Sequence, residues 1–123
     1  VIAFMPDQPS TINMGGTLRL GNYPCEIAEG TQMARCYGVS HIDERHRHRY
    51  EFNSDYRETL TKAGMVISGT SPDGRIVETV EVPQNDFCIG VQFHPEFKSR
   101  PNKAHPLFLG FVGAALNKRE KNA

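Results

Sequence analysis

His94-Pro95-Glu96 is the triplet in this chain best suited to chemistry. On extended backbone, residues two apart project to the same side. The Glu96 carboxylate can then hold one ring nitrogen of His94 as a donor and leave the other as a base. That is the base-and-orienter part of a catalytic triad. Pro95 has no N–H, so it ends a strand ladder, and it biases His94 toward an extended conformation. Residues 88–93 are apolar apart from Gln92 and are expected as a buried strand. His94 and Glu96 then stand where that strand runs out, the end at which open α/β sheets carry their chemistry. A strand-end turn without chemistry fits the same residues, because a triad also needs a nucleophile. Cys88 lies six residues upstream on the same strand, about 20 Å away if extended. Cys25 follows Pro24 in an edge-like segment, and Cys36 stands mid-helix beside Arg35. Neither sits in a Gly-x-Cys-x-Gly elbow. Free cysteines of this kind read as small buried hydrophobes.

The second unusual stretch is Glu44-Arg45-His46-Arg47-His48-Arg49-Tyr50-Glu51-Phe52. Read as one strand, it places Arg45, Arg47, Arg49 and Glu51 on one face, and His46, His48, Tyr50 and Phe52 on the other. Guanidinium groups about 7 Å apart repel unless anions lie between them, and Arg suits two-pronged contacts to carboxylate or phosphate. The stripe reads either as a small-molecule anion site or as a solvated edge strand paired with Asp43 and Glu44. His46 and His48, with His94 or His105, are conceivable metal ligands. No HxxxH or CxxC spacing supports this, and no metal site is expected.

Around these motifs, residues 1–4 could end a strand and residues 5–13 form a loop by composition. Residues 14–20 suggest a half-exposed strand, Gly21-Asn22 a turn, and residues 23–28 a hairpin partner kept at an edge by Pro24. A short helix is expected over 30–37, capped by Thr31 and closed by Gly38. Residues 40–53 read as extended. Residues 54–63 read as a helix with Ser54 as its N-cap and Gly64 as its stop. A hairpin joins 65–68 to 76–82. The longest helical pattern spans 106–116, with Pro106 in the first turn, and 117–123 is a charged tail expected to fray.

Chain length sets the scale: 123 residues suffice for one small domain and not for two. With 38% hydrophobic and 23% charged residues the chain is expected to fold. A net charge of +0 argues against a nucleic-acid or anionic-membrane binder. No apolar run approaches the roughly 20 residues of a membrane span. Three cysteines without a pairing framework fit a reduced, cytoplasmic setting. The opening on Val1 suggests a piece of a larger polypeptide.

Gly90-Val91-Gln92-Phe93-His94-Pro95-Glu96-Phe97 resembles the triad-completing motif of the class I glutamine amidotransferases. Met14-Gly15-Gly16-Thr17-Leu18-Arg19-Leu20-Gly21, residues 44–51, Ser99-Arg100-Pro101 and His105-Pro106-Leu107-Phe108 narrow the resemblance to the CTP synthase branch. It runs from about Met14 to Ala115. The resemblance implies the later half of a three-layer, flavodoxin-like α/β domain, a mixed sheet with antiparallel hairpins, filling residues 1–123. It implies glutamine hydrolysis that supplies ammonia for the ATP-dependent amination of UTP to CTP. His94 would activate a cysteine lying upstream of Val1 and protonate the departing ammonia. Glu96 would orient His94, and Arg49 would contact the glutamine carboxylate, with Arg47 the next choice. No cofactor is implied in this chain: ATP and Mg²⁺ serve a separate synthase domain. GTP as effector and a homotetramer belong to the full enzyme. The chain alone is expected to be inactive, and to expose apolar surface where the missing strands pack. A different amidotransferase, such as GMP synthase or anthranilate synthase, and a non-catalytic anion-binding module are the alternatives.

Overall fold

The computed structural model describes residues 1–4 and 19–122. The expected loop and strand over 5–18 lie outside the described residues. Seven strands and three α-helices follow one another in the order β1(Ile2–Phe4), β2(Arg19–Ile27), α1(Gln32–Tyr37), β3(His41–His48), β4(Tyr50–Phe52), α2(Arg57–Lys62), β5(Val66–Thr70), β6(Val77–Glu81), β7(Ile89–Val91) and α3(Pro106–Lys121). Five strands form a sheet in the order β3-β2-β5-β6-β7, and β1 pairs with β4 in a separate small sheet. Every described pairing is antiparallel.

The expected turn at Gly21-Asn22 is instead the inside of β2. Both residues pair in register with β3, Gly21 with His46 and Asn22 with Arg45. Gly21 accommodates this at φ +106, a left-handed value that a side chain would disfavour. Pro24 is tolerated because β5 pairs with β2 only at Glu26 and Ile27. At Pro24 the strand has one partner and behaves as an edge. The partner of β2 is therefore β3, and a local turn signal yields to an eight-residue ladder.

Helix α1 forms where its caps place it. Thr31 Oγ1 accepts from the Ala34 N–H at 3.2 Å, and Gly38 turns left-handed at φ 73. Glu81, at the end of β6, adds a carboxylate to the same helix start and accepts from Gln32 N–H at 2.9 Å. The helix seats Met33, 0% exposed, against Cys25, Ile27, Ile42, Phe93 and Leu107, which make up the core. The helix expected from Ser54 begins differently. Asn53 caps a short 3-10 turn over Ser54–Tyr56, and α2 follows at Arg57. The tail expected to fray is helical as far as Lys121; no Gly or Pro interrupts it, and Lys118 pairs with Asp86 at 2.9 Å. α3 leaves Leu109, Val112 and Leu116 exposed. Among the described residues no helix is long and apolar enough to cross a membrane.

Candidate active site

The strand leading to His94 is shorter and more exposed than a buried strand. β7 is three residues at the sheet edge; Ile89 and Val91 are half-buried and Gly90 is exposed. Phe93 beyond it is buried in the core, and Ile89 and Val91 pack against its margin. The edge position is the reason: β7 has β6 on one side and no strand on the other among the described residues. His94 follows as an extended residue, φ −109 and ψ 94, and caps a 3-10 turn over Pro95–Lys98.

That turn brings the pair together. His94 Nδ1 lies 2.7 Å from Glu96 Oε1. Strand alternation is not the cause, as Glu96 already belongs to the 3-10 turn, which curls its side chain back under the imidazole. The Glu96 backbone N–H, and next the bond from His94, hold this carboxyl below the ordinary carboxylate range. With Nδ1–H given to Glu96, Nε2 is the nitrogen left as an acceptor, and it has no hydrogen-bond partner among the described residues. Two further contacts fix the ring. The His94 N–H donates to the Arg45 carbonyl at 3.0 Å, hanging the motif on β3. Phe97 stacks on the imidazole with ring centroids 4.8 Å apart and planes inclined by 14°. In the sequence Phe97 is only the closing residue of the family motif, with no role of its own; its signal is an aromatic directly after the His-Pro-Glu triplet. The hold from Arg45 has no sequence signal, since it uses a backbone oxygen.

The arginine stripe divides. Arg45 and Arg47 stay exposed on β3, whereas Arg49 is half-buried at the single residue between β3 and β4. Alternation stops there. Glu51, expected on the arginine face, is buried, and so is Phe52. The break follows from a change of partner: β3 pairs with β2 in the large sheet and β4 with β1 in the small one. Arg47, His48, Arg49 and Tyr50 line an open cleft of about 540 Å³, together with Ile2 and Gln92. Tyr50 and Gln92 are additions that periodicity could not supply, because the cleft is assembled from three separate segments. Glu44 does not pair with the stripe. It points inward, 2% exposed, and its Oε2 accepts from the Tyr37 hydroxyl and from His105 Nε2.

The histidines considered as metal ligands are distributed otherwise. His46 and His48 touch each other, Nδ1 to Nε2 at 2.7 Å, while His105 caps α3 and serves Glu44. Among the described residues no three His, Cys, Asp or Glu side chains are grouped to hold a metal ion. The cysteines offer His94 no partner either. Cys25 is fully buried, and burial, with Glu78 next, pushes its thiol up to about 12. Burial also raises the Cys36 thiol. Cys88 is exposed, ahead of β7 and separated from His94 by that strand.

The His94–Glu96 pair follows the edge strand of the antiparallel sheet, and Gln92, two residues before it, lines the cleft that holds Arg47 and Arg49. Residues 5–114 match the family described as glutamine amidotransferase class-I, and the chain belongs to that family. It is 62% identical over 116 residues to CTP synthases of Staphylococcus aureus strains JH9 and Newman. The match takes in 94% of this chain and 22% of theirs, so the chain spans about a fifth of the length of these curated relatives. The fold matches the glutaminase domain of Trypanosoma brucei CTPS, solved with bound acivicin, at a TM-score of 0.85 and 40% identity. That match covers 95% of this chain and 46% of that one. A crystal structure described as a putative GMP synthase protein from Thermoplasma acidophilum matches over 99% of this chain and 51% of that one. Its TM-score of 0.67 at 14% identity is a likeness of fold alone.

Proposed function

We propose that this chain is the C-terminal part of the glutaminase domain of a CTP synthase, and that it contributes the base, the orienter and part of the glutamine pocket. The observation that carries the reading is the His94–Glu96 pair, 2.7 Å apart with Nε2 without a hydrogen-bond partner among the described residues, in a chain 62% identical to CTP synthases. The nucleophile is a cysteine on a segment outside these residues, since Cys25, Cys36 and Cys88 are engaged or placed elsewhere. His94 Nε2 takes the proton of that thiol, and the thiolate attacks the side-chain amide carbon of glutamine. The tetrahedral intermediate collapses by expelling ammonia, which leaves with the proton from His94 Nε2, and a thioester remains. Water then attacks the thioester while His94 accepts its proton. The proton returns to the leaving thiolate, and glutamate is released. Glu96 holds Nδ1–H throughout and balances the charge on the imidazolium. Arg49 binds the glutamine α-carboxylate, and Arg47 is the second cation at the cleft.

The ammonia serves the ATP- and Mg²⁺-dependent amination of UTP to CTP in a synthase domain outside these residues. GTP control, tetramer assembly and a cytoplasmic setting come with that reading. The test compares glutamine-dependent and ammonia-dependent CTP formation in the complete enzyme containing these residues. His94→Ala should abolish the first and keep the second. Glutamine hydrolysis surviving in His94→Ala would refute the assignment.

A further inference from the structure

A line of polar side chains runs from the interior of the sheet to the corner that carries Arg49. Glu78 on β6 and His46 on β3 are each 1% exposed. Glu78 Oε1 accepts from Arg19 Nη1 at 2.8 Å, and Glu78 Oε2 lies 2.9 Å from His46 Nε2, an ion-pair separation. His46 Nδ1 meets His48 Nε2 at 2.7 Å, and His48 Nδ1 meets the Tyr50 carbonyl at 2.9 Å. The last contact spans Arg49. Two rings therefore have four nitrogens and three contacts to satisfy.

The contacts fix which nitrogen donates. A carbonyl only accepts, so His48 Nδ1 carries a proton. His48 is held below the usual histidine range, first by burial, so its Nε2 accepts the proton that His46 Nδ1 donates. His46 Nε2 and Glu78 Oε2 stand close without hydrogen-bond geometry, so the hydrogen-bonded line runs from His46 through His48 to Tyr50.

We propose that His46 and His48 are positioning residues for the glutamine pocket: His48, seated on His46, pins the Tyr50 carbonyl and so fixes the direction of Arg49. The geometry explains why a fix is needed. Arg49 is the one residue joining two sheets, at the point where β3 leaves β2 and β4 joins β1. Neither ladder constrains a residue that belongs to no strand. The His48–Tyr50 bond closes a short ring across it, and the buried His46 ring behind His48 seats it in the sheet. The sequence shows why both histidines are needed. His46 alone cannot reach past Arg47, and His48 alone has no buried seat.

The inference rests on the assignment of Arg49 to glutamine, so the test carries both. In the complete enzyme, His48→Gln should raise the KM for glutamine about tenfold, the loss of one oriented hydrogen bond, with kcat and the ammonia-dependent rate held. His48→Asn, whose amide nitrogen stands near the place of Nδ1, should recover part of that loss. Nitrogen-15 NMR of the complete enzyme should find His48 protonated at Nδ1 with its Nε2 accepting. An unchanged KM in His48→Gln beside a raised KM in Arg49→Ala would sink this inference and leave the pocket assignment standing. An unchanged KM in Arg49→Ala would overturn both. A His48 ring bare at Nδ1 would overturn the bond to Tyr50, and with it the inference.

Discussion

Removing the Glu96 carboxylate isolates what the orienter contributes. In Glu96→Ala the imidazole of His94 keeps its backbone bond to Arg45 and its stack on Phe97, and loses only the 2.7 Å contact at Nδ1. In Glu96→Gln an amide oxygen can still accept from Nδ1–H, so the tautomer survives and the charge does not. The two variants therefore separate orientation from electrostatics. The size of the effect follows from exposure. In a serine protease, where the carboxylate of the triad is buried, losing its charge costs about 10⁴ in rate. Here the side chains are 39% exposed for His94 and 55% for Glu96, so water competes for the same bond and screens the charge. The Phe97 stack also preserves part of the ring orientation. We expect kcat for glutamine hydrolysis to fall about tenfold in Glu96→Gln and about a hundredfold in Glu96→Ala, with the KM for glutamine little changed. The assay is ammonia release from glutamine by the complete enzyme, set against its ammonia-dependent synthesis, which should be unaffected. Wild-type hydrolysis in Glu96→Ala would refute the orienter role. A fall of 10⁴ would refute the argument from exposure.

Three stability outcomes follow from the packing. A Cβ on Gly69 would stand 2.6 Å from Thr79 Oγ1 and 2.9 Å from Cys25 Sγ, both buried; Gly69→Ala should cost about 1–3 kcal/mol in urea denaturation of the chain. Met33→Ala empties a fully buried site in the core and should cost about 2–5 kcal/mol by the same measurement. Cys25 supplies a pH dependence. Its thiol rises from the ordinary 9.0 to about 12 in the fold, so the unfolded chain loses that proton first. Its contribution is whole below pH 9 and is lost as pH rises toward 12. The urea midpoint should fall between pH 8.5 and about 10.5, and should fall less steeply in Cys25→Ala; equal slopes would count against the burial of that thiol.

The parts of this chain legible in its sequence are those decided locally. Thr31 and Gly38 bracket α1 because a cap needs only its own helix. His94 and Glu96 meet because they stand two positions apart, although a 3-10 turn brings them together rather than a strand. The family motif was legible for the same reason, as a contiguous run of residues. What escaped was decided at long range. Gly21-Asn22 reads as a turn until β3 is laid beside it. Nothing in the pattern marks Glu44, Glu78 and Glu81 for the interior, yet all three are buried. Their partners, His105, Arg19 and the start of α1, lie 61, 59 and 49 residues away, and a sequence pattern records periodicity, not partners. The cleft at Arg49 escaped for a further reason: alternation describes a strand that stays in one sheet.

The change of sheets at Arg49 also sets where this stretch tolerates insertion. Through β3 the two faces hold unlike duties, with Ile42, Glu44 and His46 turned inward and Asp43, Arg45 and Arg47 outward. One residue added anywhere in β3 would exchange these sets, sinking guanidinium groups into the core and exposing Glu44 and His46. At the corner the alternation restarts, so a residue added there would leave both strands in phase. Lineage and laboratory variants alike should therefore keep the length of β3 fixed and adjust the reach of the pocket at its end.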